Sequence, residues 1–466
     1  MLQGGMFNNC SKCLDKQRKI DKLSEENKRL KDKLRVQKRK QKEGFFGSST
    51  PSSKVPIKSG TPESEKKKRG AKPGHKGKGR KKFNEADSDQ VVELESDEKA
   101  CPQCGVLMKN KGVEERMVID ACPVKTKKVL YRISKRYCPH CRRSFRPQAP
   151  GVLPKSLFGN QLIANVVDAH YHYGLPMGRI CEQNGLGAGS LVEIYHRLAR
   201  LFRDVPKRLI QEYRQAPVKH ADETSWRTNG KNGYAWLFAT PDISIFQFGK
   251  NRSAAVPKAI FKSKKLPGVL VVDRYNAYNQ VPCKIQYCYA HLLRAIGDLE
   301  KDFPDEPEVR TFVATAAPLL ALAMGLRSQK ITDEEFLKKA RLVKSDIVAA
   351  MESPAQHLGI RHIQDIFREK HDRLYHWAKD RRVPADNNLA ERDLRPSVIA
   401  RKVSFGSATD AGARTRSVLS TVVSTLKKRG VNVAAHLKEV LDQLARDIHQ
   451  DPFPLLFSQR APPKRT

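Results

Sequence analysis

Three acidic residues in the second half of the chain have the type and the setting for metal-dependent chemistry on phosphate esters. They are Asp222 in VKHADETSW (218–226), Asp273 in VVDRYNAY (271–278) and Glu391 in NNLAERDLRP (387–396). Three carboxylates can hold two divalent ions, one at the attacking oxygen and one at the leaving oxygen. Magnesium favours such hard oxygen ligands. Because carboxylates repel one another, a cluster of them beside a polyanion requires metal ions between them.

Each of these acids also has an ordinary structural interpretation. Either aspartate could be a turn or cap residue. Asn388 precedes Glu391 at the spacing of an N-cap and its N3 glutamate, which together would form a capping box. Asn388, Glu391 and Arg395 would then share one helical face. Two aspartates at strand positions, together with a glutamate that opens a helix, favour a metal site over three unrelated caps.

The sequence around the aspartates predicts strands of a mixed α/β sheet with helices on either side. Asp222 shares a strand face with the apolar Val218 and Trp226, because successive side chains alternate. The continuous apolar run 269–272 predicts a strand buried on both faces, so Asp273 follows at its carboxyl end. Open α/β sheets bind ligands at that edge. Further predicted elements are strands at 218–226, 233–240 and 243–249, a helix at 252–261, a strand running into a helix at 284–300, and helices over 306–380.

Two CxxC pairs predict a structural zinc site. The pairs are Cys101 with Cys104 and Cys138 with Cys141. Four thiolates would fill every tetrahedral position and leave none open for water. The strand-like segment 116–137 predicts a hairpin that would bring the pairs together. Alternative ligands are Cys122 and His140, and a further pair, Cys10 and Cys13, is a weaker metal candidate.

The charge of the chain indicates a polyanionic partner. Lys and Arg number 88 against 50 Asp and Glu, which gives a formal net charge of +38. A surplus of this size points to nucleic acid first and to an anionic membrane second. The densest basic stretch has no acidic residue, and its Gly and Pro predict an extended arm that can follow a phosphate backbone. Its basic residues are Lys66, Lys67, Lys68, Arg69, Lys72, Lys76, Lys78, Arg80, Lys81 and Lys82. The alternative is a solubilising linker.

The first half of the chain predicts a zipper and a helical region. Residues 14–40 carry Ile20, Leu23, Leu30 and Leu34 at heptad spacing, with Asn27 at a core position that favours a parallel dimer. A solvated charged helix is the alternative. Residues 159–202 show a helix, a turn, a short helix, a Gly-rich turn and a longer helix, an outline similar to helix-turn-helix units.

We expect an intracellular protein with no membrane-spanning segment. The start of the chain has no apolar secretory signal. The longest apolar stretch, 312–326, contains Pro318 and is too short for a bilayer, so it predicts a buried helix.

Several motifs resemble the transposases of the insertion sequence 66 family. They are HADET (220–224), VVDRYNAYNQV (271–281), YCYAHLLR (287–294) and the block that starts at NNLAERDLRP and extends to residue 441. The resemblance also covers the zipper, the arm RGAKPGHKGKGR (69–80), the CxxC pairs and the helical segment 159–180. It spans nearly the whole chain, and the block around Glu391 is its most specific part.

The resemblance implies an RNase-H-like catalytic core with a D-D-E triad. In this chain the triad would be Asp222, Asp273 and Glu391, which would bind Mg²⁺ or Mn²⁺. His291 and Arg395 would lie beside the triad, with Arg395 offsetting phosphate charge. The implied organisation is a zipper-like helix at 1–43, a basic linker at 44–99, a zinc-binding domain at 100–150, a helical DNA-binding-like region at 151–215, a catalytic core at 216–300 and 381–446, a helical insertion at 301–380 and a tail at 447–466.

The function implied by the resemblance is DNA transposition by a bacterial insertion sequence. The protein would bind double-stranded DNA at the element ends and in the target, cut a strand, and join the freed 3′-hydroxyl to the target. It would act in the cytoplasm at the nucleoid as a homodimer or higher oligomer, in some cases with small accessory proteins of the same element. Two alternatives are a DNA-binding regulator that no longer cuts and a structure-selective nuclease without strand transfer.

Overall fold

The computed structural model describes residues 11–43, 103–107, 126–134, 136–140, 142–145 and 147–457. The chain divides into two compact units, residues 58–125 and the remainder. In the smaller unit the described segment is 103–107. The larger unit carries the sheet and the helices around it.

The larger unit begins with helix α1, Ser11–Glu43, where the zipper is predicted. The apolar residues of the heptads, Ile20, Leu23, Leu30 and Leu34, are all more than half exposed in the single chain. The helix contacts the rest of the unit through side chains: Lys28 pairs with Glu306 at 2.7 Å, and the Arg35 guanidinium lies 5.3 Å from the centre of the Phe303 ring.

A short hairpin and four helices follow. Strands β1 (Arg136–Cys138) and β2 (Arg143–Phe145) pair antiparallel. Of the segment 116–137, which is predicted to form a hairpin, residues 126–134 have no regular strand, whereas 136–137 belong to β1. The three helices predicted over 159–202 are confirmed as α2 (Asn160–Tyr171), α3 (Met177–Asn184) and α4 (Ala188–Leu201). A further helix, α5 (Val205–Gln215), follows them.

The core of the fold is a mixed five-stranded sheet, and every strand predicted for it is present. The elements in chain order are β3 (Val218–Ser225), β4 (Arg227–Thr228), β5 (Tyr234–Ala239), β6 (Ser244–Gly249), α6 (Ala255–Phe261), β7 (Val269–Val272), β8 (Lys284–Tyr287) and α7 (Tyr289–Asp302). The sheet order is β6-β5-β3-β7-β8. Strands β3, β5 and β6 pair antiparallel, whereas β7 and β8 continue the sheet in parallel with β3.

A helical segment interrupts the sheet pattern where the sequence predicts it. It contains α8 (Pro307–Leu326), α9 (Asp333–Glu352) and α10 (Leu358–Glu369). Among the described helices, α8 is the one long and apolar enough to cross a membrane by length and composition. It packs against α7 and α9 and buries Val309, Ala316 and Leu320 completely. This packing agrees with the predicted buried helix.

The last elements return to the sheet. They are α11 (Asn388–Ser404), β9 (Gly406–Ser407), α12 (Asp410–Lys428), α13 (Val433–Arg446) and α14 (Pro452–Phe457). Helix α11 packs Ala390 and Leu394 against Leu237, Ala239 and Phe246 of the sheet. This contact brings Glu391 to the face of the sheet on which Asp222 lies.

Helix α12 covers the edge strand β6 with a row of hydroxyl groups. The backbone N–H groups of Ser244, Phe246 and Phe248 donate to the side-chain oxygens of Thr425, Thr421 and Ser417 at 3.2, 2.9 and 3.2 Å. These hydroxyls recur once per helical turn, while the donors recur at every second strand residue. An edge strand that is satisfied in this way cannot pair with another chain.

Candidate active site

The two aspartates lie on neighbouring parallel strands. Val218 pairs with Val269 and His220 with Val271 in the register of β3 and β7. Continuing this register by two residues places Asp222 beside Asp273, where β7 has just ended. Asp222 and Asp273 are 1% and 2% exposed, respectively. The carboxyl end of β7 therefore carries a buried pair of acids.

The start of α11 covers this face of the sheet. Val383 packs against Val218 and Val271, and His220 Nδ1 lies 2.9 Å from Asn387 Oδ1. The side-chain amide of Asn387 also donates to the carbonyl of Ala221 at 2.8 Å. These contacts hold the segment that leads into α11 against the residues of β3 that precede Asp222.

Asp273 has one satisfied and one unsatisfied oxygen. Its Oδ1 accepts the backbone N–H of Tyr275 at 2.9 Å, while its buried Oδ2 has no hydrogen-bond partner among the described residues. Burial, and then the negative charge of Glu223, raises the pKa of Asp273 to about 7. The N–H of Tyr275 and the guanidinium of Arg252 act in the opposite direction.

Glu391 shows the same division between its two oxygens. Its side chain is 2% exposed, and Oε1 lies 3.3 Å from Nη2 of Arg294 in α7. Its buried Oε2 has no hydrogen-bond partner among the described residues. Burial raises the pKa of Glu391, and the charge of Arg294 opposes that shift.

The predicted capping box at Asn388 is wrong. The N-cap of α11 is Asn387, which makes no side-chain cap, and Asn388 is the first helical residue. Asp386 Oδ1 accepts the N–H of Asn388 at 3.0 Å, so another carboxylate holds the entry of the helix. Glu391 lies one position too late to reach back to the N-cap, and its carboxylate contacts Arg294 instead.

The two orphan oxygens test whether a metal ion fits here. A buried carboxylate oxygen without a partner is costly, and a cation removes that cost. Asp273 Oδ2 and Glu391 Oε2 are two such atoms. Magnesium binds oxygen ligands of this kind, so the residues present fit the ion.

The three acids do not form a compact cluster for a single ion. Among the described residues, Cys288, His291 and Glu391 form a group of potential metal ligands whose atoms all lie within 4.8 Å of one another. The three acids do not form such a group. Two ions about 3.5–4 Å apart, each with ligands at about 2 Å, need a wider set of carboxylates. Asp222, Asp273 and Glu391 therefore do not surround a single ion in this arrangement.

A fourth buried acid, which the sequence did not single out, lies close to the aspartates. Glu223 is fully buried on the opposite face of β3, where its Oε1 accepts from Arg252 at 2.6 Å and its Oε2 accepts from the Tyr278 hydroxyl at 2.6 Å. The Arg252 guanidinium also lies 3.9 Å from the centre of the Tyr275 ring. The network ties β3 to the turn that holds Asp273. Side chains alternate along the strand segment ADET (221–224), so Asp222 and Glu223 lie on opposite faces of the sheet.

His291 and Arg395 take different positions around Glu391. His291 lies in the first turn of α7, and neither of its buried ring nitrogens has a partner among the described residues. Arg395 is exposed, and its charge acts on Glu391 more weakly than that of Arg294. Arg294 and Cys288 also lie beside Glu391, and neither was predicted from the sequence as a site residue. Their signal was the spacing of Cys288, His291 and Arg294 along YCYAHLLR.

Most of the predicted zinc and DNA-binding residues lie outside the described residues. These are Cys101, Cys141 and the whole arm from Lys66 to Lys82. Cys104 is an exposed free thiol, and Cys138 ends β1. The zinc site therefore stays a prediction from the sequence.

Comparisons with known proteins identify the family to which this chain belongs. Residues 155–415 match the family model described as Transposase IS66 family, which is more than half of the 466 residues. Relatives in Sinorhizobium fredii (strain NBRC 101917 / NGR234) include uncharacterized protein y4jD, 24% identical with 76% of each chain covered. Another is uncharacterized protein y4qI, 23% identical with 61% of this chain and 59% of that protein covered. The chain belongs to the IS66 family of transposases.

Proposed function

We propose that this protein is a DNA transposase that cleaves strands at the ends of an insertion sequence and transfers them to target DNA. Asp222, Asp273 and Glu391 form its D-D-E triad. The observation that carries the proposal is the pair of buried, unpartnered oxygens on Asp273 and Glu391, next to the position that the strand register gives Asp222. Three antiparallel strands continued by two parallel ones, with helices on both faces, support an RNase-H-like core.

The three carboxylates would hold Mg²⁺ or Mn²⁺. When bound, these ions supply charge stabilisation for the attacking and leaving oxygens of a phosphodiester. Asp273 must be ionised to act as a ligand, and its raised pKa makes this depend on the positive charges of Arg252 and Arg274 nearby. Arg294 holds Oε1 of Glu391 and leaves Oε2 for the ion.

Backbone and side-chain charges around the triad suit a phosphate group. Helices α7 and α11 both begin beside the triad, and helix N-termini favour anions. Arg294 contacts Glu391, and the exposed Arg395 lies on the same helix as Glu391. These groups would orient the phosphodiester backbone and offset its charge.

DNA binding and assembly rest on the first third of the chain. The arm from 66 to 82 would neutralise phosphates, and Cys101, Cys104, Cys138 and Cys141 would bind structural Zn²⁺. The hairpin β1–β2 around the second CxxC pair supports the zinc proposal, because ligand pairs of this kind commonly lie on such turns. The exposed apolar residues of α1 support a zipper between two copies.

The proposed activity is tested with element-end DNA, Mg²⁺ and a target plasmid. We expect cleavage at the element end that exposes a 3′-hydroxyl, followed by joined products that carry both DNAs. Cleavage without joined products would favour a structure-selective nuclease. Binding without cleavage in any divalent ion would favour a regulator and contradict the proposal.

A further inference from the structure

Cys288 and His291 place two further potential metal ligands next to the carboxylate of Glu391. Ligand atoms of Cys288, His291 and Glu391 all lie within 4.8 Å of one another; we call these residues the Cys–His–Glu cluster. Cys288 is the N-cap of α7, and His291 lies one turn into the same helix. The N–H of Cys288 donates to the carbonyl of Val272 at 2.8 Å, so the cluster adjoins the strand end that precedes Asp273.

The ligand atoms of the cluster are available. Both ring nitrogens of His291 and Oε2 of Glu391 are buried without hydrogen-bond partners among the described residues. Cys288 is fully buried, and its sulfur accepts the backbone N–H of Asn387 at 3.1 Å. Buried polar atoms without partners are uncommon in folded proteins, and their concentration here points to a missing ligand.

We propose that the Cys–His–Glu cluster binds Zn²⁺. Thiolate, imidazole and carboxylate are the three ligand types that zinc takes from proteins, whereas magnesium binds thiolate and imidazole poorly. Three protein ligands leave the fourth tetrahedral position open for water or a substrate oxygen. Ligand atoms of a tetrahedral zinc site lie about 3.5 Å apart, so binding requires the side chains to close by about 1 Å at most.

Occupation of the cluster has a consequence for catalysis. Oε2 of Glu391 is the oxygen that the proposed triad needs for Mg²⁺, because Oε1 is held by Arg294. A zinc ion in the cluster withdraws that oxygen, and it therefore inhibits strand cleavage in competition with Mg²⁺. This consequence rests on the proposed function, whereas the binding of zinc rests on the geometry of the cluster alone.

Binding is tested with Co²⁺ as a spectroscopic substitute for zinc, using the full chain. A cobalt–thiolate bond gives a charge-transfer absorption that requires the sulfur ligand. We expect Cys288→Ser to lose the charge-transfer absorption of one bound cobalt ion. In His291→Gln the ligand-field bands of that ion should change. The control is Cys283→Ser, a partly buried thiol outside the cluster, which should keep the wild-type spectrum. Thermal unfolding of each variant shows whether it is folded. Equal spectra for the wild type and folded Cys288→Ser would overturn the site.

Inhibition is tested by cleavage of element-end DNA in Mg²⁺ with increasing Zn²⁺. Each variant is compared with its own rate without zinc. We expect the zinc concentration for half inhibition to rise at least tenfold in Cys288→Ser and to stay unchanged in Cys283→Ser. Equal inhibition of all three proteins would overturn the competition at Glu391. A wild type that binds Co²⁺ through Cys288 but never cleaves DNA would instead contradict the proposed function and leave the zinc site supported.

Discussion

Arg294 Nη2 lies 3.3 Å from Glu391 Oε1 and joins the first turns of α7 to the first turns of α11. The contact turns one carboxylate oxygen towards the guanidinium and leaves the other buried and unpartnered. It also opposes the burial that raises the pKa of Glu391. Arg294 therefore orients Glu391 and favours its ionised form.

Replacing Arg294 by Gln should slow strand cleavage at neutral pH by on the order of tenfold to a hundredfold. Without the guanidinium the pKa of Glu391 rises further above its usual value, so less of the carboxylate is ionised. The acid limb of the cleavage pH profile should therefore move to higher pH, and activity should recover in part as the pH rises. Arg294→Lys keeps the charge and serves as the control. An unmoved profile in Arg294→Gln would show that the ion pair does not act on Glu391.

The Arg252–Glu223 pair makes a prediction about stability. Glu223 is fully buried, and Arg252 is its cationic partner at 2.6 Å. Arg252→Met leaves a buried carboxylate without its counter-charge, which should lower the free energy of unfolding by about 3 kcal/mol. Urea unfolding measures the change. The double variant Arg252→Met, Glu223→Gln should regain part of the loss, and a double variant no more stable than Arg252→Met would contradict the pairing.

We expect His170 to make the folded protein less stable in acid. Burial, and then the charge of Arg416, lowers the pKa of His170 from 6.5 to about 4. Its Nδ1 lies 2.8 Å from the carbonyl of Leu175 and its Nε2 lies 2.8 Å from Arg416, so the neutral ring donates through Nδ1 and accepts through Nε2. Between pH 6.5 and 4 the unfolded chain binds a proton that the folded chain does not.

The free energy of unfolding should therefore fall as the pH drops through this window, by up to about 3 kcal/mol from this residue. Unfolding midpoints in urea at a series of pH values measure the slope. His170→Gln should make the slope shallower. His449→Gln, which changes an exposed histidine, is the matched control. Parallel slopes for the wild type and His170→Gln would mean that His170 is not held neutral by its surroundings.

We expect the basic arm (66–82) to contribute to the salt dependence of DNA binding. Changing Lys66, Lys67, Lys68 and Arg69 to Gln should reduce the slope of log affinity against log salt by about 0.9 for each phosphate that the arm no longer neutralises. The control changes Lys338 and Lys339, two exposed lysines of α9, to Gln. If the slope is the same for both variants, the arm is a linker and does not bind DNA.

Local sequence patterns were sufficient to predict the strands of the sheet. They did not predict contacts between segments that are distant in the sequence. The apolar run 269–272 and the alternation in 218–226 are sufficient to indicate the strands, because burial acts on each strand separately. The capping box at Asn388 failed because Asp386 holds the helix entry, and two helix starts one residue apart have nearly the same sequence signature.

The pairing of Arg294 with Glu391 could not be predicted, since it depends on where α7 and α11 meet in space. The same holds for the hydroxyl row of Ser417, Thr421 and Thr425 against β6, which serves as an edge cover only after α12 has docked.

Asp273 is proposed as a metal ligand of the triad, and Asp273→Asn removes that ligand. The amide keeps the shape of the side chain but removes the charge that a divalent ion needs. Cleavage of element-end DNA in Mg²⁺ is compared with the wild type, alongside a binding titration on the same DNA. We expect cleavage to fall by on the order of a hundredfold or more, with unchanged binding. Cleavage at the wild-type rate would contradict the assignment of Asp222, Asp273 and Glu391.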